Sequence, residues 1–148
     1  PAVRRRVSAY FEILADPRSL EEIRRIILSQ ARTIGVSRSK IYRVMLAVEE
    51  ASCNVIRHAY GNSSPKLKPI SIDIEMTRQY VKILIRDVGK AFDFGEYPSS
   101  RIVRMALEKR ARGGYGIHLI KSLMDKYEYV RSPNGENHLQ LIKKFARR

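Results

Sequence analysis

The stretch "ISIDIEMTRQYVKILIRD" (residues 70–87) holds two runs in which apolar and polar residues alternate strongly. Alternation with a period of two is the pattern of a β-strand that buries one face. A short turn around Thr77 and Arg78 separates the runs, so we predict an antiparallel hairpin. One face of this hairpin is almost wholly aliphatic, and such a face requires a cover of helices.

The segments on either side of the hairpin supply further strands and the helices. Residues 3–14 predict a strand, and residues 19–33 predict a helix that ends at Gly35. A second helix begins near Ser37 or Ser39, since either side chain could cap it. The stretches "KYEYVRS" and "NHLQLIKKF", joined by Pro-Asn-Gly, predict a second hairpin near the end of the chain.

This order of elements predicts an α+β fold. It favours a two-layer α/β sandwich in which helices cover one face of a mixed, mostly antiparallel sheet. The length of 148 residues matches one hydrophobic core, so residues 1–148 are expected to form a single domain. No apolar run approaches the roughly 20 residues of a membrane span, and the lone Cys53 fits a reducing compartment. We therefore expect a cytoplasmic protein without a membrane segment.

The formal net charge of +14 is the strongest compositional bias. It fits a nucleic acid, an acidic protein partner or a polyanionic ligand, and does not decide among them. The basic residues are spread along the chain, without the aromatic and basic ladder of an RNA-binding sheet. We therefore do not expect direct binding of nucleic acid.

The second helix contains the stretch "EEASCNVIRHAY" (residues 49–60), whose polar residues are unusual. Apolar residues from Ile41 to Ala59 recur at steps of three and four, so they are expected to face the core. At about 100° per residue, Glu50, Asn54 and Arg57 fall within roughly 60° of each other on another side. Helical spacing alone allows either a solvated surface or a functional face.

Five of the eight glycines lie within residues 89–116. Asp87 ends an apolar strand and Gly89 follows in "RDVGKAFDF", where a carboxylate could meet a ligand that approaches the backbone, unless this is a simple turn. The stretch "RGGYGIHLIKSLMD" places three glycines before a helix, an arrangement that can expose backbone amides to a phosphate. The intervening residues 96–112 could form a basic lid over a polyphosphate or a solvated helix.

Taken together, "EASCNVIRHAY", "DVGKAFDF" and "GGYGIHLIKSLMD" resemble three motifs of the GHKL (Bergerat-fold) ATPases: the N box and two glycine boxes. Within that family the chain is most similar to the anti-sigma-factor serine kinases of bacteria. The resemblance runs from about Phe11 to Phe145, and three motifs in order are more specific than one. It implies that Glu50 and Asn54 belong to a functional face.

The resemblance also implies roles for individual residues. Glu50 would be the catalytic base, Asn54 would hold the magnesium ion that bridges the ATP phosphates, and Asp87 would accept a hydrogen bond from the adenine amino group. Ala91 departs from a glycine found in many relatives, which puts the tightness of the adenine pocket in question. The residues expected to bind the nucleotide are Asn54, Arg57, His58, Asp87, Gly89, Ala91, Phe92, Arg112, Gly113, Gly114, Tyr115, Gly116 and Ile117.

The function implied is that of an ATP- and Mg²⁺-dependent protein serine/threonine kinase that regulates transcription in a stress response or sporulation. Such a protein sequesters a sigma factor and phosphorylates a STAS-type anti-anti-sigma protein on serine. The alternative is a nucleotide-dependent binding regulator that transfers no phosphate. A homodimer is left open by the resemblance.

Overall fold

The computed structural model describes residues 5–59, 68–91 and 115–146, and its secondary structure follows the predicted order. The α+β class is confirmed. The elements are β1 (Val7–Leu14), α1 (Ser19–Ile34), α2 (Arg38–Asn54), a π-helical turn (Val55–Ala59), β2 (Pro69–Met76), β3 (Tyr80–Asp87), α3 (Tyr115–Leu123), β4 (Lys126–Arg131) and β5 (Asn137–Lys144).

The five strands form one sheet in the order β1-β2-β3-β5-β4. Both predicted hairpins, β2–β3 and β4–β5, are confirmed, and all four neighbouring pairs are antiparallel. The described sheet therefore contains none of the parallel pairing that a mixed sheet would include. Between β3 and β5, the register places Asp87 opposite Asn137 and Tyr80 opposite Lys144.

Helices cover one face of the sheet, as the alternation in β2 and β3 predicts. Alternate strand residues point into a common core with α1, α2 and α3, and most are fully buried. Each such aliphatic side chain contributes about 1.5–3 kcal/mol relative to an exposed one. The strand residues of this core are Ile13, Ile70, Ile72, Ile74, Met76, Val81, Ile83, Ile85, Leu139 and Leu141.

The junction between α1 and α2 is set by two residues. Gly35 ends α1 with φ of 82°, and its amide donates to the carbonyls of Ala31 and Arg32. Ser37 then caps α2, because its hydroxyl accepts a hydrogen bond from the Lys40 amide. Of the two predicted caps, the structure selects Ser37.

The start of α2 and the end of α3 lie at the same end of the sheet, beside the β2–β3 turn. The Lys40 ammonium donates to the Ala146 carbonyl, just beyond β5, at 3.0 Å. The Asp125 amide, just after α3, donates to the Ile142 carbonyl of β5 at 2.9 Å. Because α2 spans about 25 Å at roughly 1.5 Å per residue, its last residues lie far from this end and meet the first residues of α3.

Within the described part of the chain, no helix combines the length and apolarity needed to span a membrane.

Substitution of Gly35 by alanine tests the α1–α2 junction. A Cβ there would lie 3.3 Å from Nη2 of Arg78, and the left-handed conformation costs an L-residue about 1–2 kcal/mol. Gly35→Ala is therefore expected to lower the free energy of unfolding by more than that amount, as measured by urea denaturation.

Gly135→Ala is the matched control, because Gly135 has φ of 84° but its nearest neighbour would be 3.9 Å away. The free energy of unfolding of Gly135→Ala should fall only by what the left-handed conformation costs an alanine. Equal losses in the two variants would contradict a steric contribution from Arg78.

Candidate functional site

Asp87 lies at the end of β3 with 4 % of its surface exposed. Its Oδ1 atom accepts hydrogen bonds from the Gly89 amide at 2.9 Å and from Nδ2 of Asn137 at 2.8 Å. Both bonds among the described residues end on Oδ1, which leaves Oδ2 as the acceptor that can face a ligand. Gly89 is buried beside it and has no side chain to obstruct its backbone.

Asn137 was not predicted from sequence, although it holds this cluster together. It is fully buried at the start of β5, and its Nδ2 also donates to the Gly89 carbonyl at 2.9 Å. Its Oδ1 accepts a hydrogen bond from Nη1 of Arg131 at 3.1 Å. A buried polar residue after the "PNG" turn is the signal that could have revealed it, since such a side chain needs hydrogen-bonding partners.

Burial raises the pKa of the Asp87 carboxyl above its ordinary value, since a low-dielectric surrounding disfavours the charge. The hydrogen bonds from Asn137 and Gly89 partly oppose this rise, as do the charges of Arg131 and His138. The site thus contains a carboxylate that is poorly solvated and directed by fixed donors.

A second cluster forms where α2 meets α3. Gly116 lies in the first turn of α3, and a Cβ on it would be 2.9 Å from Oε2 of Glu50 and 3.4 Å from Oδ1 of Asn54. Glu50 and Asn54 are only partly exposed. They therefore face a neighbouring helix, and the solvated-surface interpretation of this side of α2 is wrong for these two residues.

Two features of this cluster suit a polyanion with its cation. The Nδ2 atom of Asn54 is buried without a hydrogen-bond partner among the described residues. The first backbone amides of a helix such as α3 have no intrahelical acceptor and attract anions. Gly116 and Ile117 belong to that first turn, and their part in phosphate binding stays a prediction.

The other predicted site residues divide into three groups. Arg57 is exposed and lies in the π-helical turn, where the 100° step of an α-helix no longer applies. Ala91 is partly buried at the end of a described segment. Phe92, Arg112, Gly113, Gly114 and the possible lid at 96–112 lie outside the described residues, as do the side chains of His58 and Tyr115.

The sequence model of the family called histidine kinase-like ATPase domain matches residues 13–143 of this chain. The chain belongs to this family, in the branch of the anti-sigma-factor serine kinases. Its GHKL character, first suggested by three short motifs, is thus confirmed over most of the sequence.

Relatives within the family include proteins named serine-protein kinase RsbW. The chain is 28% identical to RsbW of Bacillus subtilis over 122 residues, which cover 78% of this chain and 72% of the relative. It is 30% identical to RsbW of Oceanobacillus iheyensis over 121 residues, which cover 77% of this chain and 73% of that relative.

Two solved structures share the fold of this ATPase. The RsbU and RsbW domains of a Mycobacterium tuberculosis protein superpose with a TM-score of 0.65 at 15% identity, over 96% of this chain and 33% of that one. A chain of the SiaB–SiaC complex from Pseudomonas aeruginosa gives a TM-score of 0.57 at 13% identity, over 93% of this chain and 89% of that chain. At these identities the likeness concerns architecture alone.

Replacing Asn137 by alanine should destabilise the protein. The change removes one of two hydrogen bonds to a buried carboxylate, a loss of about 1–3 kcal/mol in the free energy of unfolding. Urea denaturation at neutral pH measures this loss.

Gln140→Ala on the same strand is the control, and its free energy of unfolding is expected within about 0.5 kcal/mol of wild type because the Gln140 side chain lies on the sheet face without helices. Similar losses in both variants would contradict a special role for Asn137.

The raised pKa of Asp87 predicts a direction for the pH dependence of stability. The native carboxyl binds its proton more tightly than the unfolded one, whose pKa is near 3.8. The resulting stabilisation is complete below that value and is lost as the pH rises through the raised native pKa. The difference in unfolding free energy between wild type and Asp87→Asn should therefore fall as pH increases from about 3.5 to 7. A rising difference would show that the hydrogen bonds outweigh burial.

Proposed function

We propose that this chain is an ATP-dependent protein serine kinase that also acts as an anti-sigma factor. It would sequester a sigma factor and phosphorylate a STAS-type anti-anti-sigma protein on serine. The observation that carries the proposal is the convergence of Glu50 and Asn54 on Gly116, at the helix start where phosphates would bind. The similarity to RsbW serine-protein kinases supports it.

In this proposal the Asp87 cluster binds adenine. The adenine amino group is a donor, and Oδ2 of Asp87 is an acceptor fixed in direction by the two hydrogen bonds on Oδ1. Gly89, buried and without a side chain, lets the flat base approach the backbone. The rigid support from Asn137 limits the conformational freedom lost when the nucleotide binds.

The phosphates would lie at the start of α3, with Mg²⁺ held by Asn54. Mg²⁺ takes oxygen ligands and usually keeps several waters while it binds substrate phosphates, so the amide oxygen of Asn54 would be one oxygen ligand among several. When bound, the ion neutralises charge on the transferred phosphoryl group.

Glu50 would serve as the general base. The serine oxygen of the partner protein attacks the γ-phosphorus, the bond to the β-phosphate oxygen breaks, and ADP leaves with that electron pair. The hydroxyl proton passes to the Glu50 carboxylate, one helical turn from Asn54. The contact with Gly116 places the carboxylate beside the start of α3 without an intervening side chain.

Two isosteric variants separate nucleotide binding from phosphate transfer. Asp87→Asn keeps an oxygen for both fixed donors but replaces the free acceptor with an amide donor, so affinity for Mg-ATP should fall about 10- to 100-fold. Glu50→Gln should leave that affinity almost unchanged and reduce serine phosphorylation by about 10²- to 10⁴-fold. Calorimetric titration measures affinity, and labelled ATP with a STAS-domain protein of the same organism measures transfer.

Asp73→Asn is the matched control for Asp87→Asn, because Asp73 lies on the open face of the sheet, where its carboxylate pairs with Arg86. It should bind Mg-ATP like wild type. If wild type binds Mg-ATP and the STAS protein but transfers no phosphate, the chain is instead a nucleotide-dependent binding regulator. Absence of Mg-ATP binding would refute both functions.

A further inference from the structure

Three adjoining clefts surround the β2–β3 turn and the α1–α2 junction. The largest, about 700 Å³, is lined by residues that include Arg5, Arg6 and Gln79. The second, about 580 Å³, shares Gln79 and adds Lys40 and Arg78. The third, about 220 Å³, adjoins the second at Val36 and contributes two more arginines. We call this surface the basic pole, and its cations are Arg5, Arg6, Arg32, Arg38, Lys40 and Arg78.

The charges of the basic pole are poorly neutralised. No carboxylate lines any of the three clefts within the described residues. Nε of Arg78 donates to the Ile34 carbonyl at 3.1 Å, and Nζ of Lys40 donates to the Ala146 carbonyl at 3.0 Å. These partners hold the two side chains in place and carry no net charge themselves. Glu75, which accepts a hydrogen bond from the Tyr80 hydroxyl, forms an ion pair with Arg6 at 3.8 Å.

The basic pole is separate from the candidate nucleotide site. Tyr80 lines the first cleft, whereas Asp87 lies at the other end of the same strand. Seven residue steps of about 3.3 Å separate them by about 23 Å. This exceeds the Debye length of about 8 Å at physiological ionic strength, so bound nucleotide would not screen the pole.

The lining of the clefts favours a protein partner over a nucleic acid. Aliphatic side chains lie among the cations that line the clefts, and Val7 and Leu28 are partly exposed there. Single-stranded nucleic acids bind by stacking on exposed aromatic rings. The two aromatic residues of the clefts do not offer that, since Phe145 is 7 % exposed and Tyr80 is held by Glu75.

We propose that the basic pole is a second binding surface, which takes an acidic protein segment with interspersed apolar side chains. The segment's carboxylates pair with the cations at the rims, and its apolar side chains enter the clefts. This binding is independent of ATP and of phosphate transfer, so it goes beyond the proposed kinase function. The six cations of the basic pole contribute to the net charge of +14 and would favour association with an acidic segment.

A charge-reversed variant of the full chain tests the proposal. Arg5→Glu, Lys40→Glu and Arg38→Glu together change one cation in each cleft. The two changes in α2 lie in its first turn, where acidic residues favour the helix, and Glu at 40 could complete a capping box with Ser37. The variant is therefore expected to fold with an unchanged midpoint of thermal unfolding.

The matched control reverses three cations outside the clefts: Arg25→Glu, Lys82→Glu and Lys126→Glu, which change the net charge equally. The probe is a fluorescent 12-residue peptide of Glu, Leu, Asp and Phe in a threefold repeat, measured by anisotropy at 0.15 M salt. The same peptide with Gln and Asn in place of the acids tests the need for charge, and a 20-base-pair DNA duplex tests nucleic acid. Mg-ATP affinity is measured in parallel.

We expect wild type and the control variant to bind the acidic peptide alike, and the basic-pole variant to bind about tenfold more weakly or worse. All three should bind Mg-ATP equally, whether or not the kinase proposal holds. Equal weakening in both variants would overturn the proposal, because binding would then follow net charge alone. Failure of wild type to bind the acidic peptide would overturn it as well. So would tighter binding of wild type to the DNA duplex than to the peptide, if the basic-pole variant loses that DNA binding.

Discussion

The hydrogen bond between Asn137 and Asp87 is the constraint on which the site depends. A buried carboxylate is costly unless fixed donors satisfy it. Here the β3–β5 register supplies the donor, since it places Asn137 opposite Asp87 and lets one amide bind both that carboxylate and the Gly89 carbonyl. A shift of register by one residue would move Asn137 to the other face of the sheet. The aliphatic core that fixes the register therefore also fixes the direction of the acceptor.

The helical layer imposes a second constraint, which is the close approach of α3 to α2. A Cβ at Gly116 would lie 2.9 Å from Oε2 of Glu50, so a larger residue there would displace that carboxylate. The glycine allows a helix start, a carboxylate and an amide to share a small space. Because both helices extend away from the β2–β3 turn, their meeting point lies remote from the basic pole.

The molecule thus has two chemically different ends. At one end a few polar side chains are held by backbone contacts and buried hydrogen bonds, as the recognition of a specific small ligand requires. At the other, six cations, two of which donate hydrogen bonds to backbone carbonyls, line three clefts together with aliphatic side chains. Such a surface suits a larger partner that contributes its own charges. The separation of the two ends would let the proposed nucleotide binding and the proposed protein contact coexist on one small sheet.

Sequence by itself determined the strands and the helices, because hydrophobic periodicity and the Gly35 terminus act locally. It also identified Glu50, Asn54, Asp87 and the glycines as candidates through their motifs. Tertiary structure alone decided that Asn137 supports Asp87, that Gly116 meets Glu50, and that dispersed basic residues gather around three clefts. These relations join residues distant in the chain, so no local pattern encodes them. They arise from strand register and helix packing, which the whole core sets at once.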